Sequence, residues 1–138
     1  AALASFGTHD LPTWAGWRAA RDVDWRERLG DMDAATAAAA RAERAGEVAD
    51  FDAARGTDDP APETLHAFLG DTSARLVAVQ AEDMLGHVEQ PNLPGTVHDH
   101  PNWRRRLGIA PDALSQAPGA RATAAALTAR RPNGGQTP

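Results

Sequence analysis

The chain opens on an apolar run, residues 2–6, that stops at Gly7. A short apolar run closed by a turn signal reads as a buried strand. Leu11-Pro12-Thr13 then opens a helical pattern through Trp14, Trp17 and Arg18, where a proline near the first turn costs little because its missing N–H would have lacked a partner. Residues 31–55 are rich in Ala, Glu and Arg, all strong helix formers. Asp31 or Asp33 is placed to cap that helix, and Gly46 is expected to break it in two. Residues 56–62 form a turn-rich connection and 63–68 one or two helical turns. Residues 76–80, Leu-Val-Ala-Val-Gln, predict a second short strand. Two prolines and a glycine forbid regular structure over 90–96, and Pro94-Gly95 suits the centre of a type II turn. Helices are expected to start at Pro111 and to run over 120–131.

Strand, long helical segment, strand, loop and helix make a βαβα order, which calls for parallel strands covered on both faces. Two strands are too few for a stable sheet. A closed α/β barrel needs eight strands and typically ~250 residues. The chain also starts inside an apolar run without a methionine. The expectation is therefore an α/β piece of something larger, spanning residues 1–131, with 132–138 as a polar, Gly/Pro-rich, disordered tail.

Composition narrows the function classes. The chain has 138 residues, 42% of them hydrophobic and 24% charged, in the range of a soluble domain with one modest core. A net charge of -5 gives no global attraction to nucleic acid or an anionic membrane, and Arg104-Arg105-Arg106 is only a local run. Every basic side chain is arginine and alanine dominates, which points to a coding bias rather than a structural need. Without cysteine, disulfides and thiolate metal sites are excluded. No apolar stretch approaches the ~20 residues of a membrane span, and residues 1–10 lack the pattern of a secretory leader, so a cytoplasmic location is expected.

Candidate chemistry sits at the strand ends. His9 and Asp10 lie just past the first strand, the edge where α/β barrels project catalytic groups. Asp10 there suits either stabilisation of an oxocarbenium-like transition state or sugar binding; the alternative is that it caps the next helix and His9 is a turn residue. Gln80, Glu82 and Asp83 occupy the matching edge of the second strand, as an acid/base pair or as helix caps. Asn92 is a ligand-binding candidate or a turn residue. His98-Asp99-His100 offers metal-ligand types without further ligands at a convincing spacing, so a solvated loop and no metal are expected. Trp14 and Trp17 form either a sugar-stacking platform or a buried helix face, and Trp17 is assigned to the core.

Three segments in register add to this reading: SFGTHDLPTWAGW at 5–17, VQAEDMLGHVEQPNLPGT at 79–96 and PNWRRRL at 101–107. Together they resemble the end of the 4-α-glucanotransferases, glycoside hydrolase family 77 of the α-amylase superfamily, and within it the bacterial amylomaltase branch. The resemblance covers roughly residues 1–110. It implies the C-terminal portion, about the last two βα units, of a (β/α)8 TIM barrel, with the two strands as the seventh and eighth. It implies transfer of a segment of an α-1,4-glucan to the 4-hydroxyl of glucose or a maltooligosaccharide, by a retaining double displacement without a cofactor. Of three active-site carboxylates, the nucleophile and the acid/base belong to earlier strands absent here; Asp10 matches the third, which bonds hydroxyls of the transferred sugar. His9 resembles a sugar-binding histidine, and Asn92, Pro94 and Gly95 a loop lining the donor side of the cleft. Glu82 and Asp83 are read as support for that loop. The chain alone is expected to be inactive without the remainder of its barrel. The rival readings are a non-catalytic carbohydrate-binding or scaffold remnant of the barrel, and a related hydrolase.

Overall fold

The computed structural model describes residues 2–131; the tail expected at 132–138 lies outside them. Two strands, β1 (Leu3–Ala4) and β2 (Leu76–Val77), pair in parallel with Leu3 opposite Leu76 and Ala4 opposite Val77. The Leu76 N–H donates to the Ala2 carbonyl at 3.1 Å and the Ala78 N–H to the Ala4 carbonyl at 2.9 Å. Both strands are shorter than their apolar runs, because each has only one neighbour to bond and the chain beyond is free to turn. Between them lie α1 (Trp14–Arg18), α2 (Arg21–Leu29), α3 (Ala34–Arg55) and α4 (Pro62–Gly70). After β2 come α5 (Ala81–Met84), a 3-10 helix (Pro111–Gln116) and α6 (Pro118–Arg130). The segment that opens at Pro111 is thus 3-10 in form, and the long helix after it begins two residues earlier than its composition indicates.

Local chemistry explains most boundaries. Asp33 caps α3, its carboxylate accepting the Thr36 N–H at 2.7 Å, and α4 begins on Pro62. Gly46 does not break α3, which runs unbroken through it. Gly46 faces open space, so its cost is the intrinsic ~1 kcal/mol of glycine in a helix, offset by good formers on both sides and by Arg44, whose guanidinium meets Asp22 of α2 at 2.9 Å and Glu47 at 2.9 Å. Pro12 lies one residue before the cap of α1 rather than inside it, and Thr13 is the cap.

The core is aromatic. Trp14, Leu65 and Leu69 are buried together, with Phe6, Trp17 and Phe51 packed around them. Trp14 and Trp17 stack at 5.8 Å, and Phe6 meets Trp14 edge-on at 5.2 Å. The tryptophan pair is therefore the inner face of α1, and Trp14 is too deeply buried (1% exposed) to act as a sugar platform. Arg18 and Asp52 tie α1 to α3 through two bonds of 2.6 and 2.9 Å.

α1 also lies hard against the loop that follows α5. A Cβ built on Gly16 would stand 2.3 Å from the Val88 carbonyl oxygen and 2.9 Å from Thr13 Oγ1. Backbone cannot move aside as a flexible side chain can, so Gly16→Ala is expected to destabilise the protein by on the order of 1–2 kcal/mol. Chemical denaturation checks this; an unchanged midpoint would contradict the close approach.

Candidate functional site

Because β1 and β2 run parallel, their C-terminal ends open on the same edge, and residues 82 apart meet there. After β1 the chain turns sharply: the Leu11 N–H donates to the Thr8 carbonyl at 3.0 Å, which leaves His9 and Asp10 at the two outer positions of the turn. Both side chains are open to solvent, 59% and 50% exposed, and His9 Nε2 lies 3.3 Å from Asp10 Oδ2. The helix-cap role for Asp10 does not hold, since the hydroxyl of Thr13 accepts the Gly16 N–H at 3.0 Å.

From the loop after α5, Asn92 reaches across and its amide donates to Asp10 Oδ1 at 2.6 Å. His9, Asp10 and Asn92 thus form one cluster, with the Asp10 carboxylate flanked by two polar groups and its outer face free. Pro94 and Gly95 shape the turn behind Asn92. Gly95 sits at φ 87 and the Thr96 N–H donates to the Leu93 carbonyl at 3.2 Å, which is the type II turn that Pro-Gly specifies and which glycine alone adopts without strain. Of these five residues only His9 lines the open cleft of about 840 Å³ next to it, together with Gln80, Glu82, Glu89 and Trp103; Asp10, Asn92, Pro94 and Gly95 do not.

Glu82 and Asp83 part company. Asp83 is buried, and its carboxylate accepts the Trp14 N–H at 2.7 Å, so it adds to the Thr13 cap of α1 from 69 residues further along the chain. Burial, with the nearby charge of Glu82 in the same sense, pushes the Asp83 carboxyl up to about 6 against the bond from Trp14. The Thr13 hydroxyl donates to the Val88 carbonyl at 3.1 Å, a second tie between α1 and the loop.

The loop is anchored further along by residues whose part in the site only the structure reveals. Glu89 accepts from Arg21 at 2.8 and 2.7 Å and from the Trp25 indole at 2.7 Å, with Arg105 3.5 Å away. Burial pushes its carboxyl up, but the bonds from Arg21 and Trp25 and the charges of Arg21 and Arg105 outweigh this and hold it below its ordinary value. His100 is not in a solvated loop. It is buried, its ring edge-on to Trp25 at 4.8 Å, and its Nδ1 bonds Asn102 at 2.6 Å. His98 and Asp99 are exposed, so the triplet does not converge. Among the described residues no group of three or more His, Cys, Asp or Glu is arranged to hold a metal ion, and no helix is long and apolar enough to cross a membrane. Trp103 adopts φ 59, rare for a bulky residue, and presents its ring, 64% exposed, at 5.1 Å from His9.

Comparison with known proteins identifies the family of the chain. The family model described as 4-alpha-glucanotransferase, Glyco_hydro_77, matches residues 1–110. The 4-alpha-glucanotransferase of Mycobacterium tuberculosis is 38% identical over 112 residues, covering 74% of this chain and 16% of its own length. That of Haemophilus influenzae is 24% identical over 123 residues, covering 77% and 18%. The crystal structure of amylomaltase from Corynebacterium glutamicum superposes with a TM-score of 0.79 at 27% identity, over 91% of this chain and 21% of that one. The chain thus spans about a sixth to a fifth of the length of the relatives it matches. On the family match and the mycobacterial identity together, the chain belongs to glycoside hydrolase family 77, the 4-alpha-glucanotransferases.

Proposed function

We propose that this chain is the C-terminal portion of the (β/α)8 barrel of a 4-α-glucanotransferase, residues 1–131 forming one piece of that barrel, and that Asp10 acts on the sugar being transferred. The observation that carries the proposal is the contact between Asp10 of THDLPT and Asn92 of NLPGT, which joins the two motifs at one strand edge. The remainder of the barrel has a place to dock: Leu3 and Leu76 are 61% and 58% exposed on strands with one neighbour each, and such edges and faces call for cover.

In the proposed reaction a retaining double displacement cleaves an α-1,4-glucan and passes the retained segment to the 4-hydroxyl of glucose or a maltooligosaccharide. The nucleophile and acid/base come from the part of the protein outside this chain. The Asp10 carboxylate, half open to solvent, takes hydrogen bonds from hydroxyls of the transferred glucosyl unit. Those bonds strengthen as the ring flattens and positive charge builds at the anomeric carbon, so they lower the barrier rather than merely tighten binding. His9 and Asn92 orient that carboxylate and contribute sugar contacts, and the Pro94-Gly95 turn shapes the donor side. Carboxylates and hydrogen bonds suffice for this chemistry, and no cofactor is invoked.

The test is maltotriose disproportionation by the full-length protein, read by chromatography. Glucose together with dextrins longer than maltotriose is the expected pattern. Maltose and glucose alone would assign a hydrolase, and binding of maltodextrin without any product would assign a non-catalytic carbohydrate-binding protein.

A further inference from the structure

Asn92 makes the one hydrogen bond to the Asp10 carboxylate among the described residues, yet its own loop contains two prolines and a glycine and no regular structure. Something must fix it. The peptide groups on either side of Asn92 are both taken by residues 102–103: the Pro91 carbonyl accepts the Trp103 N–H at 3.0 Å, and the Leu93 N–H donates to Asn102 Oδ1 at 2.9 Å. The Asn102 amide also donates to the Thr96 carbonyl at 3.0 Å and to the Thr96 hydroxyl at 2.8 Å. One side chain therefore spans the whole turn from Leu93 to Thr96. Its orientation is set by its partners, because Leu93 N can only donate and Thr96 O can only accept.

The clasp is itself docked. His100 Nδ1 meets Asn102 Oδ1 at 2.6 Å; with that oxygen an acceptor, Nδ1 carries the proton. The His100 ring lies edge-on to Trp25, and Trp25 donates through its indole to Glu89. Trp103, whose N–H bonds Pro91, has a left-handed backbone, and strain of that kind persists only where its surroundings hold it.

From this geometry we infer that Asn102 is a positioning residue: it clasps the Leu93–Thr96 turn so that the Asn92 amide stays on the Asp10 carboxylate. It touches neither substrate nor Asp10 and acts through Asn92. A side chain acting this way shifts catalysis by moving a reacting-centre group a fraction of an ångström. The inference rests on the sugar-site reading of Asp10 above.

The experiment is a double-mutant cycle in the full-length protein, with maltotriose transfer and melting temperature measured for each variant. Asn102→Ala is expected to lower kcat about tenfold more than KM changes, and Asn92→Ala at least as much. The double variant is expected to be no slower than Asn92→Ala alone, since residues acting through one another are not additive. Asn102→Asp keeps acceptors for Leu93 and His100 while losing the donor to Thr96; it is expected to recover part of the rate, and it replaces the alanine variant in the cycle if that variant does not fold. Wild-type turnover by the Asn102 variant, or a double variant whose loss is the product of the single losses, would overturn the inference. Asp10→Asn measured alongside separates the two readings. Full activity there sinks the sugar-site reading, whereas an inactive Asp10→Asn beside an unaffected Asn102→Ala sinks only the clasp.

Discussion

Replacing Asp10 with asparagine in the full-length protein is expected to leave the fold intact and to lower kcat for glucan transfer by at least about 100-fold, the scale of losing one well-placed charge-stabilising group. The fold should survive because Asp10 supports no element: its side chain is half exposed, and its partners among the described residues are the amide of Asn92 and the ring of His9. An asparagine oxygen can still accept from Asn92. What disappears is the negative charge on the face open to solvent, and with it the acceptor whose bonds gain strength as the transition state forms. The loss should therefore fall on kcat more than on KM. Product analysis with maltotriose, with melting temperature as the control, checks both halves. Wild-type-like transfer would remove Asp10 from the mechanism.

The second large effect is on stability and belongs to Asp83. Its folded carboxyl is raised to about 6 from an ordinary 3.8, so between those values the folded state holds a proton that the unfolded chain releases. The folded state is then favoured at low pH, and stability should decline as pH rises from about 4 to about 6, by on the order of 2–3 kcal/mol, and level off above. Asp83→Asn keeps an oxygen for the Trp14 N–H and removes the ionisation. That variant should flatten this part of the pH profile. At pH 7, where both replacements are neutral, Asp83→Ala should be less stable than Asp83→Asn by about 1–3 kcal/mol, because only alanine leaves the buried Trp14 N–H without a partner. Denaturation profiles across pH 4–8 decide this. An unaltered slope in Asp83→Asn would mean that Asp83 does not titrate in that window.

The contrast between these two aspartates shows what the sequence can carry. Asp10 stands in a motif at a strand end, and its turn is spelled by neighbouring residues, so position alone made it a candidate. Pro94-Gly95 likewise specifies its turn locally, as Asp33 does its helix cap. The partner of Asp83 is 69 residues away, and nothing near Glu82-Asp83 indicates that one acid faces the cleft while the other is buried under α1. The same holds for His100, which reads as part of a polar loop until Trp25, from a helix 75 positions earlier, closes over it. Gly46 misleads in the opposite direction: a local breaker is overridden because Arg44 and its partners pin that helix across the point of weakness. Long-range pairing, rather than residue type, decides each of these cases.

A crystal structure of the full-length protein with a maltooligosaccharide bound tests the central claim most directly. A glucosyl unit whose hydroxyls donate to the Asp10 carboxylate, with Asn92 still on its opposite oxygen, is the predicted result. A bound sugar chain that passes the strand edge without touching Asp10 would contradict it.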